Sequence, residues 1–173
     1  MVGADFYSKI SLGTLCSYDL TGADPMNRYS IRKCTLNEIP QVLRLQKEWQ
    51  GEEITYGFTA ADHSYLQQKL GDYFYIAEQN GIIIAFAYAN IEKARDMNIF
   101  EDGEHYLEIE DVYVAPTHRG TGAGSQLVKK LLQTAKDHGI ERSLLFSSTK
   151  DIKKTMNFYE KLGFKTWNIQ MYK

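Results

Sequence analysis

The run Arg119-Gly120-Thr121-Gly122-Ala123-Gly124-Ser125 has residue types and spacing suited to holding an anion. Glycine at alternate positions lets the backbone approach a ligand with no Cβ in the way. After it, Ala123, Leu127, Val128, Leu131, Leu132 and Ala135 recur at three- and four-residue spacing, which makes one apolar helix face. A helix starting there turns its unpaired N–H groups and the positive end of its dipole toward the glycines, which makes a phosphate site. Arg119 brings a cation that can add a charge-assisted hydrogen bond. Just upstream, Glu108 and Glu110 alternate with Val112 and Val114. Regular strand geometry puts these four side chains on one face and Asp111 on the other. Two nearby carboxylates on a partly desolvated face push one pKa up, which suits one of them to take a proton.

These residues need a strand, a turn and a helix to position them. Tyr106 to Ala115 alternates and ends in Val-Tyr-Val, which reads as the strand. Pro116 stops it for want of an N–H. Gly139 is placed to end the helix. Other phosphate loops fit less well. No Lys follows Gly124, so the turn is not a P-loop. Ser125 stands where a dinucleotide fingerprint needs its last glycine, and no ribose-binding acid follows.

The remaining elements read as follows. Tyr29 to Lys33 is a first strand. Thr35-Leu36-Asn37-Glu38 is a capping box, opening a helix to about Trp49. Gln50 to Thr59 is a looser stretch. A second helix spans Ala60 to Leu70, capped by Thr59. Tyr73 to Glu78 and Ile82 to Ile91 flank Asn80-Gly81, a strong hairpin signal. The second of these strands is apolar on both faces and so belongs in the centre of a sheet. Lys93 to Glu104 is a charged loop. Ser143 to Ser147 is a short buried strand, separated from the earlier one by a length that suits a parallel crossover. Ile152 to Leu162 is a helix ended by Gly163, and Phe164 to Tyr172 is a final strand. Residues 1 to 28 carry Phe6, Tyr7, Ile10, Leu12, Leu15 and Tyr18 between glycines. They read as an N-terminal extension to a single domain over residues 29 to 173.

The turn fits the pattern R/Q-x-x-G-x-G/A. Further on, Asn157-Phe158-Tyr159-Glu160-Lys161-Leu162-Gly163-Phe164 has the form F-Y-x-K-x-G-F. In this order the two segments resemble the GCN5-related N-acetyltransferases, from roughly Tyr29 onward. The resemblance implies an α/β fold with a mixed, mostly antiparallel central sheet of six to seven strands flanked by about four helices. It implies acetyl-CoA as cosubstrate, its pantetheine arm lying where the strands at Tyr106–Ala115 and Ser143–Ser147 splay apart. Val112 and Val114 would offer main-chain groups there. Arg119, Gly120, Thr121, Gly122, Ala123, Gly124 and Ser125 would hold the pyrophosphate. Either Glu110 or Glu108 would be the base, with Glu110 the better placed, and the Tyr159 phenol would protonate the departing thiolate. Many family members carry an Asn before the last helix. Here Ser147-Ser148-Thr149-Lys150-Asp151 has none, which leaves Ser148 or another polar group for that contact.

Composition narrows the function further. The chain has 173 residues, 43% hydrophobic and 24% charged, with net charge −2. That argues for one soluble domain and against nucleic acid as the main partner. No apolar run is long enough for a membrane span, and no secretion signal is recognisable. Cys16 and Cys34 read as free buried thiols in a reducing, cytoplasmic compartment. The four His show no ligand spacing, so no metal is expected. Glu52, Glu53, Glu101, Asp102 and Glu104 place negative charge on the two loops expected to wall the acceptor site, and Tyr56, Phe58 and Phe100 add aromatic surface. The expected acceptor is therefore the primary amine of a small cationic molecule, acetylated directly in a ternary complex. A peptide- or protein-acetylating enzyme and a non-catalytic acetyl-CoA sensor are the alternatives. The resemblance also allows a homodimer.

Overall fold

The computed structural model describes residues 29–173. The expectations for the N-terminal extension and for Cys16 lie outside them. Five strands form one sheet in the order β1 (Ser30–Lys33), β2 (Phe74–Gln79), β3 (Ile82–Lys93), β4 (His105–Val114) and β5 (Arg142–Leu145). The first four are antiparallel to their neighbours, and β5 runs parallel to β4. Four α-helices flank the sheet: α1 (Ile39–Glu52), α2 (His63–Gln68), α3 (Ala123–Asp137) and α4 (Ile152–Glu160).

The local signals act as their chemistry dictates. The Thr35–Glu38 capping box is present, with the Glu38 carboxylate accepting from the Thr35 N–H at 2.9 Å. Asn80 and Gly81 both have positive φ, 52° and 78°, which two-residue hairpin turns demand. From Ile83 to Ala89, β3 is buried on both faces. One face packs on α3 through Leu127, Val128, Leu131 and Ala135. The other packs on α1 and α2 through Ile39, Val42, Leu45 and Leu66. Truncating one fully buried leucine in either layer, such as Leu127 or Leu45, costs about 2–5 kcal/mol.

Several element ends shift by a few residues, and two differences have a clear physical cause. The second helix starts at His63 rather than Ala60, because Asp62, not Thr59, is the cap, its carboxylate accepting from the Tyr65 N–H at 2.8 Å. Among the described residues the expected final strand, Phe164 to Tyr172, is absent, and the sheet has five strands rather than six or seven. The end of α4 explains where that segment starts. The Gly163 N–H donates to Glu160 O at 3.0 Å, and the Phe164 N–H donates to Tyr159 O at 3.1 Å. With Gly163 at φ +92° this is a Schellman cap. Beyond it Trp167, Ile169 and Met171 alternate as a strand would. They find no partner edge among the described residues and stay exposed.

Candidate active site

The parallel pairing of β4 with β5 covers only Tyr106–Ile109 against Arg142–Leu145. Among the described residues, β4 past Ile109 pairs with β3 alone, so its outer edge is open there through Val112 and Val114. Pairing between these strands thus stops at Ile109, where the splay is expected. The glycine turn lies at its mouth.

Gly120 and Gly122 have φ of +80° and +90°, which side chains resist. The Tyr29 hydroxyl donates to Thr121 O at 3.3 Å, and Thr121 Oγ1 donates to His118 O at 2.7 Å. The Thr121 hydroxyl thus braces the turn. Gly122 caps α3 without a side chain, and the Gln126 N–H donates to Gly122 O at 3.0 Å. The N–H groups of Ala123, Gly124 and Ser125 precede the first helical donor, Gln126 N–H, and have no acceptor among the described residues, which leaves them free for an anion. A Cβ at Gly124 would lie 3.2 Å from Val114 Cγ2 and 3.5 Å from Phe158 Cζ. Only glycine lets α3 start this close to β4. The cradle fits a phosphate in both geometry and donor set.

Arg119 does not point into that cradle. Its Nη1 and Nη2 donate to Glu52 Oε2 and Oε1 at 2.7 and 2.6 Å, and its Nε donates to Val114 O at 3.0 Å. Its guanidinium lies over the Tyr113 ring, whose hydroxyl donates to Glu52 Oε1 at 2.7 Å. Burial opposes the charge on Glu52, but the Arg119 and Tyr113 hydrogen bonds outweigh it and lower its pKa. Arg119 therefore ties the glycine turn to the end of α1. Glu52 is not free to attract a cation.

The carboxylates depart from regular alternation. Register against β3 slips between Tyr88 and Ala89: Tyr88 faces Asp111 while Ala89 faces Ile109. Glu110 is the extra residue of a β-bulge. Leu107 and Ile109 pack toward α3, and so do Val112 and Val114. Glu108 points away from that face by alternation. The four side chains expected together are thus divided, and Glu110 and Asp111 both reach the α1/α2 side. Glu110 Oε1 accepts from Lys69 Nζ at 2.6 Å and from the Asn90 amide, and Oε2 accepts from the Tyr65 hydroxyl at 3.1 Å. Glu108 accepts from the Tyr106 hydroxyl at 3.3 Å. Glu110 thus has a lysine beside it. Asp111 Oδ2 accepts from the Tyr88 hydroxyl at 2.5 Å and Gln46 Nε2 at 2.7 Å. Burial raises the Asp111 pKa, those two donors oppose the rise, and the Glu110 charge adds to it.

Tyr159 stands in α4 between Phe158 and Phe164, with ring centroids 4.8 and 5.5 Å away, both edge-on. The helix cap at Gly163 locks this triplet, which gives the F-Y-x-K-x-G-F segment a physical function. Burial, with a smaller contribution from the Asp111 charge, pushes the phenol up to about 12. It holds its proton at neutral pH.

The two loops expected to wall an acceptor lie at opposite ends of the sheet. The α1–α2 loop joins the β5–α4 loop through Tyr56 N–H to Ser148 O at 2.8 Å and Lys150 N–H to Ile54 O at 2.9 Å. This strap sits at the splay, and it occupies the main chain of Ser148. The Lys93–Glu104 loop lies at the other end of β4. Asn98, Ile99, Phe100, Glu101, Glu104 and Arg142 line a cleft of about 480 Å³ there. Glu104 accepts from Arg142 at 3.1 Å, which reduces the negative field expected of this loop.

Sequence reasoning missed Lys69, Tyr65, Asn90, Tyr88 and Gln46. Nothing local marks them. The bulge itself left a trace: apolar residues 107 and 109, then 112 and 114, break the period of two.

Fold and site together define an acyl-CoA-type transferase architecture. Residues 40–164 match the acetyltransferase (GNAT) family, and the chain belongs to that family. It is 41% identical over 63 residues to a glucosamine 6-phosphate N-acetyltransferase of Trypanosoma brucei brucei, a match covering 36% of this chain and 40% of that protein. Among solved structures, a predicted acetyltransferase of Clostridium acetobutylicum with acetyl-CoA superposes with a TM-score of 0.65 at 24% identity, over 83% of this chain and 94% of the other. Glucosamine-6-phosphate N-acetyltransferase of Arabidopsis thaliana gives 0.62 at 25% identity, over 84% and 97%.

Proposed function

We propose that this chain is an acetyl-CoA-dependent N-acetyltransferase that acts on the primary amine of a small molecule by direct transfer in a ternary complex. The observation that carries this reading is the glycine cradle at the open edge of β4. In this reading the N–H groups from Gly120 to Ser125 hold the pyrophosphate, and Val112 and Val114 align the pantetheine arm along the unpaired edge. Arg119 acts by fixing the turn from outside. Acetyl-CoA supplies an activated thioester. The protein must then remove a proton from the amine and deliver one to the thiolate. Glu110 is the base, since the bulge projects it among the polar groups of α2 and β3 on the acceptor side. Tyr159 is the acid, as a buried phenol that keeps its proton.

Small acceptors are favoured because the strap of residues 54–56 on 148–150 bridges the mouth of the splay. The named activities of the Trypanosoma and Arabidopsis relatives, both on glucosamine 6-phosphate, support the same size class. The test is release of free CoA thiol from acetyl-CoA with a panel of polyamines, aminoglycosides, glucosamine 6-phosphate, amino acids and peptides, against a no-amine blank. Release with one class of small amine is expected. Release with peptides alone contradicts the acceptor class. An acetyl-CoA-induced rise in melting temperature without release from any amine contradicts turnover and leaves a sensor.

A further inference from the structure

Lys69, the C-cap residue that follows α2, belongs to neither motif, yet its ammonium sits in the centre of the acceptor side. Its Nζ lies 2.6 Å from Glu110 Oε1, 4.9 Å from the Tyr65 ring centroid and 5.9 Å from that of Tyr88. Glu110 also takes hydrogen bonds from the Tyr65 hydroxyl and the Asn90 amide. The Lys69 and Glu110 side chains are only 13% and 23% exposed. A carboxylate with aromatic faces beside it, partly withdrawn from water, is a receptor for an alkylammonium group. Lysine carries such a group on a four-carbon stem. The chain has filled its own receptor.

We propose that Lys69 is an internal stand-in for the acceptor: its ammonium takes the place on Glu110 that the acceptor's primary ammonium must occupy, and the acceptor has to displace it. This rests on the reading of Glu110 as the base. One half-buried carboxylate cannot hold two ammonium groups in the same place, since like charges at contact distance repel. Lys69 is free to leave. Its backbone is held by the end of a six-residue helix, through N–H contacts to Tyr65 O and Leu66 O at 3.3 and 3.2 Å, and the stem is flexible. Acceptor affinity is then the intrinsic affinity multiplied by the fraction of time Lys69 is away. Displacing Lys69 lowers the affinity of every amine by the same factor, so an acceptor binds well only if it brings contacts beyond those Lys69 already makes.

The test empties the receptor and refills it with a defined probe. Lys69→Ala is titrated with n-butylammonium chloride, sodium chloride of matched ionic strength serving as control, and the melting temperature is followed. The expected result is a lower melting temperature than the wild type, restored by n-butylammonium but not by sodium. The wild type should respond only at probe concentrations about tenfold higher or more. Adding Glu110→Gln to Lys69→Ala should abolish the response. Equal responses of wild type and variant to the probe, or none beyond the sodium control, overturn the proposal. Should Lys69→Ala not fold, Lys69→Met keeps the stem packed. Its KM for the best acceptor of the panel should fall about tenfold with kcat retained, and an unchanged or raised KM overturns the proposal. The melting readout needs no turnover. Rescue without thiol release would leave the receptor standing and remove the acetyltransferase reading. Thiol release without rescue would remove only the stand-in.

Discussion

The proposed cofactor end and the proposed acceptor side of this molecule are built on different plans. The first is made of main chain and consecutive residues: a strand edge, three glycines and a helix start within Val112–Ser125. The second is assembled from side chains on α1, α2, β3 and β4, with Gln46, Tyr65, Lys69, Tyr88, Asn90, Glu110 and Asp111 meeting around one bulge. Main-chain sites depend on backbone shape, so steric changes should break them. Side-chain sites depend on charge and proton placement, so isosteric changes should break them while binding of the cofactor survives.

The sharpest break of the first kind is Gly124→Val. A Cβ there already meets Val114 and Phe158, and the added methyls push α3 away from β4. Acetyl-CoA affinity, measured by calorimetry, should fall about 100-fold or more while the chain still folds. Tyr159→Phe should do the opposite: it keeps the ring triplet and removes the proton donor. We expect kcat to fall about 100-fold at unchanged acetyl-CoA affinity, in steady-state kinetics paired with calorimetry. Equal losses in both quantities would merge the two plans into one.

Smaller effects sharpen the boundary. Glu52 and Arg119 form the link between α1 and the glycine turn. A double-mutant cycle of Glu52→Gln and Arg119→Gln, read in acetyl-CoA binding, should give a coupling of about 1 kcal/mol. Additive losses would mean the two residues act separately. The smallest effect lies remote from both regions. Hydrogen bonding from Arg32 holds the Glu38 carboxyl at about 2, below its usual 4.5. A lowered folded-state pKa gives stability that is present above 4.5 and lost as pH falls through 2. Glu38→Gln should therefore lower the melting temperature at neutral pH, and the gap to wild type should close across that window.

The same division governs what could be read from the sequence. Local rules sufficed where one segment makes a feature by itself. Examples are the Asn80-Gly81 hairpin, the buried stripe of α3 and the glycines of the cradle. Arg119 was legible as a residue but not as a contact, because Glu52 is far away in the chain. The final strand failed because alternation in Trp167, Ile169 and Met171 states a preference, while a strand also needs an edge to pair with. The carboxylate face failed because a bulge adds one residue and reverses the phase of all that follow. Lys69 could not be foreseen, since nothing near it in sequence points to Glu110.

The most direct test of the account is a titration of the isotopically labelled protein with CoA, following backbone amide resonances. The largest shifts should fall on Gly120 to Ser125 and on Val112 to Val114, with the amides of Tyr65, Lys69 and Asn90 moving little. Shifts concentrated elsewhere, such as along the Asn98–Glu104 cleft, would contradict the placement of the cofactor on the glycine turn.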